Sequence, residues 1–139
     1  MSVETINLTW EIKSKRILDR ISLKINEGEI LTILGPNGAG KSSFLKLIAG
    51  DSTASYGEIL FDKISLSNIS TEDRSFMRSV MSQSQEIAYD FTVKEIIEMG
   101  WLDRGISDYS KDFEEAVSQI STECSVKELL SQNFNTLSG

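Results

Sequence analysis

The 139-residue sequence has no histidine, a single proline (Pro36) and a single cysteine (Cys124). Without histidine, the side chain that most readily exchanges protons near neutral pH is missing, and Cys124 has no imidazole to activate it as a nucleophile. A lone cysteine closes no internal disulfide and makes no metal-type spacing, which suits a reducing compartment. Cys124 therefore reads as a small buried apolar residue. No apolar run approaches the roughly 20 residues needed to cross a bilayer. Residues 1–5 also lack the basic-then-apolar pattern of a secretory signal. By itself the chain is expected in the cytosol, with any membrane role peripheral and through a partner. Cations are scarce too, with 14 Lys and Arg against 21 Asp and Glu, a formal charge of −7. That balance argues against a general grip on nucleic acid, which needs clustered cations. A single nucleotide needs only a few well-aimed donors, so it is not excluded.

What is present is an ordinary globular composition, 40% apolar and 25% charged, with room for one domain. Ile6, Leu8, Trp10 and Ile12 alternate with Asn7, Thr9 and Glu11, predicting a half-buried strand over 6–12. Ile21, Leu23 and Ile25 repeat the pattern against Ser22, Lys24 and Asn26, and Gly28 then marks a turn. Residues 30–34, Ile-Leu-Thr-Ile-Leu, are almost continuously apolar and too short for a typical helix. They predict a strand covered on both faces, as in a parallel sheet. Phe44, Leu45, Leu47 and Ile48 fall at helical spacing over 41–49, and Gly50 is placed to close that helix. Strands are predicted over 56–61 and 79–81.

The second half reads as helical. Thr92 and Glu95 have the spacing of a capping box, Phe91 is placed to staple onto Ile96, and Val93, Ile96, Ile97 and Gly100 share one face. Phe113, Val117, Ile120 and Cys124 mark a second helix. Ser125 and Glu128 suggest a second capping box, opening a short third helix through Leu129 and Leu130.

The chemistry sits in one loop. Gly35, Gly40, Lys41 and Ser42 match G-x-x-x-x-G-K-[ST] between the predicted strand 30–34 and the predicted helix 41–49. Gly35, Gly38 and Gly40 let the backbone turn tightly and bring its N–H groups against phosphate oxygens. The following helix aims its unpaired N–H groups and positive dipole end at the same anion. Lys41 would reach the β and γ phosphates, and the Ser42 hydroxyl would ligate Mg²⁺. This loop by itself leaves kinases, GTPases, helicases and transport ATPases open, although the further base-reading and switch motifs of a GTPase are not found.

The stretch from Leu34 to Ser43 resembles the Walker A segment of ATP-binding-cassette (ABC) proteins. The resemblance runs along the chain through residues 18–23 and 28–30, then Tyr56-Gly57-Glu58-Ile59, then Val80-Met81-Ser82-Gln83, which is similar to the family's Q-loop. It ends on Leu137-Ser138-Gly139, similar to the start of the LSGGQ signature. It implies an α/β fold of the P-loop NTPase, ABC ATPase type. A strand-rich nucleotide-binding part would span 1–86, a helical subdomain 87–136 and the start of the signature 137–139. It also implies that Gly35, Pro36, Asn37, Gly38, Ala39, Gly40, Lys41, Ser42 and Ser43 bind ATP. Gln83 would join Ser42 in holding Mg²⁺ and would position the attacking water. Leu137, Ser138 and Gly139 would face the ATP held by the opposite subunit of a homodimer.

Residues 91–100 look like those of ATPase subunits that import haem, iron-siderophores and cobalamin, and residues 87–90 lean towards the haem branch. The implied partners are a membrane permease, contacted through the helical half, and indirectly a substrate-binding protein, with no nucleic acid. The implied place is the cytoplasmic face of the inner membrane. Three departures stand out. Ser82 sits where many relatives have proline, and Trp101-Leu102 replaces an arginine-containing continuation. Ile12 occupies the region of the adenine-stacking aromatic. Trp10 either substitutes for that aromatic or completes the apolar face of its strand. Walker B, with its Mg²⁺-binding Asp and catalytic Glu, and the switch histidine would follow Gly139. On the resemblance, the chain reads as the amino-terminal part of a longer ATPase subunit, truncated before Walker B and without turnover of its own. A non-transport ABC ATPase of the translation or DNA-repair type is the alternative, as is a module that binds ATP without hydrolysing it.

Overall fold

The computed structural model describes residues 1–81, 87–102 and 111–137. It divides into two compact units, Met1–Met81 and Ser82–Gly139.

In the first unit, β1 (Val3–Ile12) and β2 (Lys15–Ile25) form a hairpin. Its two-residue turn, Lys13-Ser14, has both φ angles positive (45° and 64°), the geometry whose twist matches paired strands. β3 (Tyr56–Phe61) pairs antiparallel with β1, and the short β4 (Ile64–Ser65) returns along β3 across a second positive-φ turn, Asp62-Lys63. The sheet order is β2-β1-β3-β4. Helix α1 (Lys41–Ala49) packs Phe44 and Leu47 into a cluster with Leu8, Leu18, Ile59, Phe61 and Leu66. Gly50 closes α1 as expected, with its N–H on the Leu47 carbonyl and that of Asp51 on the Lys46 carbonyl.

The alternation predicted for 6–12 is broken. Leu8 is buried, but Ile6 and Ile12 are exposed while Thr5 and Thr9 are buried. The phase first breaks at a bulge at Asn7, whose φ is +48° and where the register slips against both neighbouring strands, so Thr5 and Leu8 are both buried though an odd number of residues apart. Further slips against β2 follow between Leu8 and Trp10 and between Trp10 and Glu11. The two threonines repair the interrupted ladder. Thr5 Oγ1 donates to the Ile21 carbonyl (3.1 Å) and accepts from Leu23 N–H (3.2 Å). Thr9 Oγ1 accepts from Arg20 N–H (3.0 Å) and donates to the Asn7 carbonyl (3.3 Å). Their burial therefore leaves no hydroxyl unpaired, which would otherwise cost about 1–3 kcal/mol each.

Two further strands are absent where expected. Residues 30–34 and 79–81 lie outside every ladder among the described residues, and the sheet that does form is antiparallel. Ile30 is 92% exposed, Leu34 86% and Met81 93%. An apolar run is buried on both faces only when strands flank it on both edges; with no pairing partner among the described residues, Ile30, Leu31 and Leu34 meet water, while Ile33 packs against the core cluster. The chain is therefore expected to bind and brighten an environment-sensitive hydrophobic dye under native conditions. Ile30→Ser/Leu34→Ser should reduce that signal severalfold. A parent that leaves the dye dark would contradict the exposed run.

Helix α2 (Thr71–Met77) was not anticipated, although Ser70 and Asp73 carry a legible cap: Asp73 N–H donates to Ser70 Oγ at 3.0 Å. Its Arg74 reaches the end of α1, donating from Nη1 to the Gly50 carbonyl at 2.9 Å, and Arg78 pairs with Asp51 at 3.4 Å.

In the second unit, α3 (Val93–Leu102) begins with the expected capping box: Glu95 N–H donates to Thr92 Oγ1 (3.2 Å) and Thr92 N–H to Glu95 Oε2 (2.7 Å). The Thr92 backbone and hydroxyl hydrogen bonds hold the Glu95 carboxyl below its usual range. The next two N–H groups, of Val93 and Lys94, are satisfied by the carbonyls of Gln132 and Leu130. Phe91, expected to staple onto Ile96, has its ring edge-on to Tyr89 with centroids 6.0 Å apart.

Helix α4 (Lys111–Glu123) buries Phe113, Val117 and Ser121, one residue every four, whereas Ile120 and Cys124 are exposed. The buried Cys124 of the sequence reading is thus corrected; it sits just past the helix end, off the packed face. Ser125 does not open a third helix either. With φ +56° it terminates α4, its N–H on the Thr122 carbonyl and that of Val126 on the Ser121 carbonyl, and only a 3₁₀ turn (Lys127–Leu129) follows. Lys94 bridges α3 to α4 through Glu114 at 3.1 Å.

Candidate functional site

Residues 35–40 form the loop that leads into α1. Ala39 N–H bonds the Pro36 carbonyl (3.2 Å), a tight turn at the loop's apex, and the first helical bond runs from Phe44 N–H to the Gly40 carbonyl (2.8 Å). The N–H groups of Lys41, Ser42 and Ser43 therefore precede any intrahelical partner and point out of the helix start. No acidic residue occupies that first turn, so nothing of the chain's own competes for an anion there.

Gly40 is required by its surroundings. Its φ is +90°, a conformation disfavoured for residues with a side chain, and a Cβ built on it would lie 2.8 Å from Leu18 Cδ2 and 3.0 Å from the Ile17 carbonyl oxygen. The loop is thus pressed against β2, and α1 is held behind it by Phe44 and Leu47. Packing fixes where the free N–H groups point.

Lys41 folds back over its own loop. Nζ donates to the carbonyls of Gly35 (2.7 Å) and Pro36 (2.8 Å), and among the described residues no carboxylate pairs with it. The ammonium therefore lies over the loop with its charge uncompensated. The Ser42 side chain is exposed and Ser43 is half-buried. Among the described residues no cluster of three His, Cys, Asp or Glu suits a metal ion.

Of the predicted site residues, the structure brings together the whole set from Gly35 to Ser43 in the first unit. Trp10 is half-buried and packs against the core cluster, the strand-face alternative of the sequence reading. Leu137 is half-buried after a 3₁₀ turn (Phe134–Thr136). Gln83, Ser138 and Gly139 lie outside the described residues. What the sequence reading missed is the contact of Ile17 and Leu18 with the loop, signalled only by the apolar pair in β2.

Comparison with known proteins places this geometry in context. A family profile described as ABC transporter matches residues 18–139. The chain is 34% identical over 137 residues to the hemin import ATP-binding protein HmuV of Nitrobacter winogradskyi, covering 99% of this chain and 49% of that protein. It is 35% identical to HmuV of Pseudoalteromonas translucida, covering 96% and 51%. The chain thus spans about half the length of the curated relatives it matches. Among solved structures, an ATP-binding cassette of an ABC transporter superposes with a TM-score of 0.84 at 23% identity, covering 99% of this chain and 59% of the other. An ATP-binding subunit of an ABC transporter gives 0.82 at 20% identity, covering 99% and 56%. At these identities the superpositions speak for the fold alone.

Proposed function

The chain belongs to the ABC transporter family, and from that premise we propose that it is the ATP-binding portion of an importer's ATPase subunit, serving uptake of hemin or a related iron complex. The observation that carries the nucleotide reading is the loop over 35–43, where an uncompensated ammonium and three free N–H groups converge. In this reading the triphosphate's oxygens replace the Gly35 and Pro36 carbonyls as acceptors for Lys41 Nζ. The N–H groups of Lys41, Ser42 and Ser43 donate to the same phosphates. Mg²⁺, when bound, would neutralise phosphate charge, with Ser42 Oγ and Gln83 proposed to hold it.

The hemin assignment is supported by relatives 30–41% identical to this chain that are named as hemin import ATP-binding proteins. Gln83 is proposed to position the attacking water, and Leu137, Ser138 and Gly139 to face the nucleotide of a second subunit. Docking on a membrane permease at the cytoplasmic face, with a substrate-binding protein acting indirectly, completes the proposal. Among the described residues no helix is long and apolar enough to cross a membrane.

Binding and assignment are tested separately. The 139-residue chain is expected to bind MgATP saturably, read by titration with a fluorescent ATP analogue. A chain that gives no saturable binding would overturn the nucleotide reading. Stoichiometric co-purification of the complete subunit with ribosomes or DNA, and not with a permease, would overturn the importer assignment.

A further inference from the structure

We propose that Lys13 and Lys15, at the tip of the β1–β2 hairpin, form a cationic approach to the phosphate loop that captures the nucleotide's triphosphate before it seats. The proposal rests on the nucleotide reading above and adds how the anion reaches a site on a protein of net charge −7. Most of such a surface repels an approaching ATP. The hairpin reverses the sign: residues 11–24 carry five cations (Lys13, Lys15, Arg16, Arg20, Lys24) and only two carboxylates (Glu11, Asp19).

Those carboxylates are already engaged. Arg16 bonds Glu11 at 3.0 Å and Asp19 at 3.1 Å, and Arg20 lies 3.4 Å from Asp19. Lys13 and Lys15 are exposed and enter no ion pair among the described residues.

Their placement follows from a second bulge. The β1–β2 register steps from Trp10↔Leu18 to Glu11↔Arg16, so Ile17 has no partner. It is the Ile17 carbonyl that lies 3.0 Å from the Cβ position of Gly40, where the phosphate loop enters α1. Lys15 stands two residues away, roughly 7 Å along the strand, and its side chain can span that gap. This is within the Debye length of about 8 Å at physiological salt, so its field reaches the loop only partly screened. Lys41, held by two carbonyls of its own loop, is the seat; the hairpin lysines are the approach.

The test is stopped-flow binding of a fluorescent ATP analogue to the chain across a salt series. Lys13→Gln/Lys15→Gln should lower the association rate about fivefold at low salt, with the difference vanishing near 0.5 M and dissociation within about twofold of the parent. A merely structural lesion would not give a salt-dependent association rate with an unchanged dissociation rate. Lys15→Gln by itself should carry much of that loss, whereas Lys24→Gln, which removes an equal single charge roughly 23 Å from Ile17 along β2, should leave association near the parent rate. A double variant that associates like the parent overturns the proposal. So does a Lys24→Gln loss equal to that of Lys15→Gln, since net charge and not place would then govern. If the parent itself gives no binding signal, the nucleotide reading fails and takes this inference with it; if the parent binds normally and only the hairpin variants are silent, that reading stands.

Discussion

Lys41→Met is expected to weaken MgATP binding by at least about 100-fold while the chain keeps its fold. Two charge-assisted hydrogen bonds to phosphate are worth roughly 1.5–3 kcal/mol each, and each 1.4 kcal/mol is a factor of ten. The partners that methionine would leave behind, the Gly35 and Pro36 carbonyls, sit in an exposed loop where water replaces the lost donor. Stability should therefore change by less than about 1 kcal/mol. Titration with a fluorescent nucleotide, alongside a urea melt of each protein, separates the two effects. Lys41→Arg should recover part of the affinity through charge without matching the reach of the parent ammonium. A methionine variant that holds nucleotide like the parent would remove the basis for assigning the loop to phosphates.

Gly40→Ala is expected to fail in the opposite way, through the fold. The methyl group arrives 2.8 Å from Leu18 Cδ2, a buried side chain, and 3.0 Å from the Ile17 carbonyl, which is backbone and cannot swing aside. Holding alanine at φ +90° adds a conformational cost of about 1–2 kcal/mol. Together these should destabilise the chain by about 2–4 kcal/mol and lift the loop off β2, so nucleotide affinity falls with stability. Gly38→Ala is the control. Its φ is +82°, but nothing lies within 4 Å of the new Cβ, so only the conformational cost applies. Equal urea midpoints for the two variants would show that the pressed contact with β2 contributes nothing.

How much of this was readable depended on the range of the interaction. The phosphate loop, the Thr92–Glu95 capping box and the Gly50 stop were all legible because their hydrogen bonds close within about five residues. Ser70-x-x-Asp73 was equally local and was overlooked. Ser125 shows the limit of local patterns. Its Ser-x-x-Glu spacing fits a cap, but the residue had already been claimed by the end of α4, where its positive φ lets Val126 bond back to Ser121.

Residue identity and spacing along the chain determined that an anion-binding loop exists, which residues line it and that a helix begins at Lys41. Tertiary structure decided which way the strands face and what lies beside the loop. The bulge at Asn7 broke the alternation of β1, leaving Ile6 exposed and Thr5 buried, and at the bulge of Ile17 the backbone of β2 lies against Gly40. Residues 30–34 make the same point from outside the sheet: their apolar run was plain, yet no described strand pairs with it. The physical reason is that side-chain phase in a sheet depends on hydrogen bonds to residues far away in sequence. One unpaired residue reverses it, whereas a loop of tight turns at a helix start needs only its own neighbours.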